Sequence, residues 1–302
     1  MTPDEARYYA SHSVESDPAD LRELLDALPK DPRRLLDAVA GLILDTAFVV
    51  PLGVVCPPDS AADVEIRRLP AMLLRILGRG PGSLATARPP EKRFIGACRH
   101  YALLACSALR HHGVPARVRV GFANYFAPGF YDDHWITEYW DGACWRLMDS
   151  ELTPGVRRHF AVTFDPCDVP RDRFVTAGPA WRGVRSGRID PTKCGVWTVG
   201  IAGVWFVAGS VVRDLAALNK REMLPWDYWG ISRDMRPGIP VSEAAASRVD
   251  TLAALIANPE PDWQTLRETY DREEAFRVPP VVMSFPRGGP TEVAVGIGES
   301  GT

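Results

Sequence analysis

The dipeptide Asp141-Gly142, set between the runs HWITEYW and ACWRLMD, constrains this chain more than any other feature. Asp-Gly between two alternating runs is the strongest short-range signal for a β-hairpin, and a two-residue turn fixes a register. With Asp141 and Gly142 as the turn residues, Trp140 faces Ala143, Tyr139 faces Cys144, Thr137 faces Arg146 and His134 faces Asp149. Directly opposed residues hold their Cβ atoms roughly 4.5–5.5 Å apart, so this register predicts a carboxylate that accepts an imidazole N–H and fixes its tautomer.

The segment before the hairpin, RFIGACRHYALLACSALRHHG, reads as a helix from near Ala97 to Gly113, with Gly113 as its C-terminal stop before Val114-Pro115. Cys98 then lies over the N–H groups of the helix start, where the dipole favours thiolate over thiol. Each residue alone has an ordinary reading: a lone Cys is a small buried hydrophobe, a strand His a satisfied polar group, an Asp ending a strand the start of a turn. A thiol of low pKa beside a base oriented by an acid is the recipe for covalent catalysis.

Gly96-Ala97-Cys98, His134-Trp135 and Leu147-Met148-Asp149 resemble the motif of the transglutaminase-like superfamily of papain-like thiol enzymes: Gly-x-Cys at a helix start, His at the start of a later strand, Asp on the next strand. The likeness to the catalytic core runs from Arg93 to Leu152, and the whole chain resembles the small stand-alone bacterial members. It implies Cys98 as nucleophile, His134 as base and Asp149 as the acid orienting it. The calcium-dependent animal enzymes carry Gln-Cys-Trp at the nucleophile, whereas this chain has Ala97-Cys98-Arg99, so protein crosslinking does not carry over. No residue corresponds to the upstream oxyanion-stabilising side chain, which leaves the Cys98 backbone N–H as the donor that can be named.

Composition narrows the partners. Thirty-five basic against thirty-eight acidic residues give a net charge of −3, with no basic stripe, which argues against nucleic acid. The first twenty residues are polar and acidic and lack a signal-peptide pattern, so the expected location is the cytoplasm. The six cysteines form no C-x-x-C pair and no cluster with histidine, so reduced thiols and no metal or cofactor are expected. Cys194 to Val212 carries no charge over nineteen residues, the length at which a membrane span is a candidate, but four glycines interrupt it and a buried core segment is the preferred reading.

Helical spacing predicts helices over Asp20–Leu28, Pro32–Thr46, Pro70–Gly78, Val241–Ala257 and Asp262–Phe276, with a loop from Gly78 to Pro90 and a frayed tail from Pro286. The string Gly296 to Gly301 matches G-x-G-x-x-G, but no room for a following helix remains, so it is read as chance. There is no G-x-S-x-G, no H-E-x-x-H and no EF-hand loop, and Asp132-Asp133 reads as loop-shaping. His100, two positions along the helix from Cys98, is turned away from it and reads as a packing residue.

The predicted fold is α+β: one domain over 1–302, with a helical flank 1–90, a catalytic core 91–165 whose antiparallel sheet packs on the nucleophile helix, and a mostly helical flank 166–302. The predicted reaction is acyl transfer through a thioester on Cys98, from a small-molecule or peptide-like acyl donor to an amine or water. Arg99 is the candidate contact for an acidic substrate group, and Trp226, within the aromatic stretch Leu224–Gly230, the candidate pocket wall. A cysteine peptidase or amidase with the same triad, and a non-catalytic binding protein on this fold, are the alternatives.

Overall fold

The computed structural model describes residues 1–286 and 288–296. The chain runs through α1 (Pro3–Ala10), α2 (Pro32–Ala40), β1 (Ile43–Asp45), α3 (Thr46–Val49), α4 (Leu69–Gly78), β2 (Phe94–Gly96), α5 (Cys98–His111), β3 (Ala116–Ala123), β4 (Tyr131–Trp140) and β5 (Trp145–Met148). It continues through α6 (Pro154–His159), β6 (Phe174–Thr176), α7 (Ala177–Arg185), β7 (Cys194–Val196), β8 (Ile201–Ala202), α8 (Val204–Leu218), β9 (Asp227–Tyr228), α9 (Glu243–Ile256), α10 (Trp263–Arg272), β10 (Val281–Ser284) and β11 (Thr291–Ala294). Helices and mainly antiparallel strands are mixed, so the class is α+β, as expected.

The residues group into two compact units, one of Met1–Val118 with Trp135–Pro170, the other of Arg119–His134 with the chain from Arg171 onward. In the first, α5 is buried along almost its whole length, from Arg99 to Arg110. Its end is a Schellman turn: the Val114 N–H donates to Leu109 O (2.9 Å), the Gly113 N–H to Arg110 O (2.9 Å), and Gly113 takes φ +73°. Tyr101 Oη donates to Ile43 O (3.1 Å) on β1, and Thr137 Oγ1 to Ala102 O (3.0 Å), which ties α5 to β4.

Two expectations change here. The helix from Pro32 stops at Ala40, because Ile43–Asp45 leaves it to pair in parallel with Phe94–Gly96, fifty residues on, as β1 and β2. Asp20–Leu28 takes the tighter 3-10 form over Ala19–Ala27, with Leu21 outside helical geometry.

The hairpin register also changes. Trp140 pairs with Trp145, Tyr139 with Arg146, Glu138 with Leu147 and Thr137 with Met148. Four residues, Asp141–Cys144, therefore connect the strands in place of two. The Asp141 side chain is the reason. Its Oδ1 accepts from the Ala143 and Cys144 N–H groups (both 2.8 Å) and its Oδ2 from Arg146 Nε (2.8 Å), contacts that hold its carboxyl far below the usual range and that a two-residue turn would break. The Trp140 and Trp145 rings, edge to face at 5.8 Å, close the strand ends.

In the second unit, β6 pairs with the end of β3, β7 runs parallel to the start of β4, and β8 pairs with β7. The uncharged run from Cys194 divides into that short hairpin and the start of α8, with Gly200 at φ +65° supplying the left-handed turn residue. Among the described residues no helix is long and apolar enough to cross a membrane. Helix α8 is the centre of an apolar core: Val207, Val211 and Leu215 pack with Trp181 of α7 and with Val249, Leu252 and Ile256 of α9. The tail forms a strand after all, β11 pairing with β10, which in turn pairs with β9. The G-x-G-x-x-G string lies, beyond Gly296, outside the described residues.

Candidate functional site

Cys98 is the first residue of α5 and is partly exposed. Its N-cap, Ala97, offers no side-chain acceptor to the helix. Cys56 and Cys144 are also partly exposed, whereas Cys106, Cys167 and Cys194 are buried. Burial pushes the Cys167 thiol up to about 11 and the Cys194 thiol up to about 12, so neither is a thiolate near neutrality.

His100, set aside from sequence as a packing residue, holds the turn that carries Cys98. Its Nδ1 accepts from the Ala97 N–H (3.1 Å) and its Nε2 lies 3.0 Å from Ile66 O. Since Nδ1 accepts, the proton belongs on Nε2, which donates to Ile66. Burial, helped by Arg99, lowers its pKa to about 3, so it is neutral. Arg99 is fully buried and donates to Arg67 O (2.6 Å), which accounts for its guanidinium without a substrate. A Cβ on Gly96 would meet His100 Cβ and Ile43 Cγ2 at 3.1 Å each, so a larger residue there would have to push β2 and α5 apart by a few tenths of an ångström.

Asp149 follows β5 directly and is 1% exposed; its Oδ1 accepts from the Glu151 N–H (3.0 Å) and its own N–H donates to Pro166 O (2.8 Å). Counting on from the ladder, Asp149 comes opposite Ile136, not His134. The predicted direct opposition of His134 and Asp149 is therefore corrected. The slip is two residues, an even number, and Ile136 and His134 share one side of β4.

In the second unit His134 is 2% exposed and ringed edge-on by aromatics, with Phe126 at 5.0 Å, Tyr125 at 6.1 Å and Phe174 at 6.3 Å between centroids. Sequence reasoning missed this ring, although Tyr125-Phe126 in a connecting loop was a visible signal. Asp132 Oδ1 accepts from the Trp197 N–H (2.8 Å). Asp133 is different: burial pushes its carboxyl up to about 7 against the opposing pull of Arg213, and its Oδ1 has no hydrogen-bond partner. Arg213, fully buried, donates through Nη2 to Ser210 Oγ (3.2 Å) and stands 5.0 Å from the Tyr228 ring, while its Nε and Nη1 have no hydrogen-bond partner. Trp226 is partly buried, and its carbonyl accepts from the Phe285 N–H (3.0 Å).

An open groove of about 880 Å³ in the first unit is lined by Val55, Ile66, Leu74, Arg75 and Lys92 among others, and by none of Cys98, His134 or Asp149. Among the described residues no group of three or more His, Cys, Asp or Glu could hold a metal ion.

Residues 80–150 match the family model of the transglutaminase-like superfamily, a span that contains Cys98, His134 and Asp149. The match falls on the segment that carries the motif resemblance. No curated protein matches it. A solved protein of Cytophaga hutchinsonii, provisionally named a cysteine protease, aligns with a TM-score of 0.34 at 16% identity over 58% of this chain and 46% of its own. The chain therefore spans less than half of that protein's length.

Proposed function

We propose that this protein is a cysteine acyltransferase that forms or exchanges an amide bond through an acyl group held on Cys98. The observation that carries this reading is the position of Cys98: the first residue of a fourteen-residue helix, partly exposed, with no capping side chain in front of it, inside the segment that matches the family. The helix dipole there favours the thiolate.

In the proposed reaction the Cys98 Sγ attacks the carbonyl carbon of an ester, thioester or carboxamide. His134 takes the thiol proton and returns it to the leaving group as the carbon–heteroatom bond breaks. Asp149 holds the imidazole tautomer and stabilises its charged form. The Cys98 N–H is assigned to the developing oxyanion as its donor. An amine then attacks the thioester, regenerating the thiolate; water in its place gives hydrolysis. The aromatic ring around His134 supports amine transfer, since apolar walls disfavour water.

The test is intact-mass spectrometry with an N-acetylcysteamine thioester. Wild-type protein should gain one acyl group and pass it to hydroxylamine faster than to water. An adduct that persists in Cys98→Ala would overturn the nucleophile, and release by water alone would turn the reading to a hydrolase.

A further inference from the structure

The first turn of α5 is satisfied from behind. A helix ordinarily meets its orphan N–H groups with a Ser, Thr, Asp or Asn at the N-cap. Here the N-cap is Ala97, which cannot serve, and the acceptor comes from the third helical residue: Nδ1 of His100 takes the Ala97 N–H at 3.1 Å. The other ring nitrogen reaches Ile66 O at 3.0 Å, thirty-four residues upstream, and the His100 ring packs on Phe94 at 5.3 Å. Arg99 donates to Arg67 O, one residue further along the same loop. Only a neutral imidazole offers one rigid acceptor and one rigid donor on opposite edges. Glutamine, the usual residue for this reach-back contact, supplies the same pair on a flexible stem.

We infer that His100 is a positioning residue for the nucleophile: it fixes the Ala97–Cys98 backbone against the Ile66–Arg67 loop, and so sets where the Cys98 thiol and amide N–H point while leaving the front of the helix start free of any capping side chain. The inference rests on Cys98 being the nucleophile. It adds that the reactivity of Cys98 depends on a side chain whose ring nitrogens meet backbone groups, at Ala97 and Ile66. Losing the Ala97 contact frees the peptide on which Sγ and the oxyanion donor are both mounted, and small misplacements of reacting groups carry large rate penalties.

Iodoacetamide labelling with peptide mapping tests this on the whole chain, with Cys56 and Cys144 as internal references and the buried Cys106, Cys167 and Cys194 as reporters of unfolding. In wild-type protein Cys98 should label first. His100→Leu should slow Cys98 about tenfold, within the roughly 10²-fold that a 1 Å misplacement can cost, without changing Cys56 or Cys144 and without exposing the buried three. His100→Gln should restore most of the rate. Equal Cys98 labelling in wild type and His100→Leu, with the buried cysteines still protected, would overturn the inference. Should the Leu variant not fold, hydrogen exchange at the Ala97 amide decides: protection in wild type and in His100→Gln supports the clamp, and fast exchange in wild type overturns it. Cys98 labelling no faster than Cys56 in wild type would instead bring down the proposed function, and the positioning role with it, even if the Ala97 amide were protected.

Discussion

Two sets of buried polar groups, His100 with Arg99 beside Cys98 and Asp133 with Arg213 near His134, are partnered differently. Around Cys98, in the first unit, His100 is matched on both ring nitrogens and the Arg99 guanidinium grips a loop carbonyl. Around His134, in the second, Asp133 keeps one carboxylate oxygen without a hydrogen-bond partner and Arg213 keeps two guanidinium nitrogens so. A satisfied buried network rigidifies, whereas an unsatisfied one is held at a cost and is ready to accept a water, a ligand group or a proton. The difference gives His100 a fixed geometry and leaves Asp133 and Arg213 able to change partner.

The largest effect expected is at Cys98 itself: Cys98→Ala should abolish acyl-enzyme formation entirely, read by intact mass. Next comes Asp149→Asn, which is nearly isosteric and should keep the fold. It should lower turnover by as much as about 10⁴, the size of the effect in a serine triad. A silent Asp149→Asn beside an inactive Cys98→Ala would mean that another acid, or none, orients His134. Gly96→Ala should be intermediate, costing about 1–3 kcal/mol through overpacking against His100 and Ile43. Chemical denaturation measures it, and a neutral result would show that the β2–α5 approach can relax.

The two smallest effects have opposite pH signs. His100 is held neutral down to about 3 in the folded chain, whereas an unfolded histidine takes a proton near 6.5, so the unfolded state binds more protons between those values. Thermal midpoints should therefore fall as pH drops from about 6.5 towards 4, and fall less in His100→Gln. Asp133 is raised to about 7 from 3.8, so its folded form holds a proton that the unfolded form has lost, and its contribution fades as pH rises through 7. Asp133→Asn should match wild type near pH 4 and exceed it at pH 8 in differential scanning fluorimetry. A pH-independent gap would remove the contrast between the two sides.

What the sequence revealed was local. The stop at Gly113, the starts of α4, α9 and α10 and the three strands from Ala116 to Met148 follow from periodicity and turn residues within a few positions. What it hid depended on distant partners. Ile43 continues a helical apolar spacing, yet it becomes a strand because Phe94 supplies the backbone it pairs with. His100 looks turned away from Cys98 until the Ile66 carbonyl shows what it holds. The hairpin register failed for a nearer reason: the Asp-Gly signal describes backbone preference, and it is the Asp141 carboxylate, with Arg146 behind it, that selects the longer connection.

That connection also sets which length changes the chain can survive. Two-residue changes between Trp140 and Trp145 that slide β5 along β4 keep its faces, and changes taken up in the loop keep the Trp140–Trp145 pair. A single-residue change that instead slid the register by one would turn Trp145 and Leu147, both buried, to the side held by Arg146 and Met148. A library of loop lengths built here should therefore stay folded wherever the Trp140–Trp145 pair is kept, whatever the length, and lose the fold where the register slips by one.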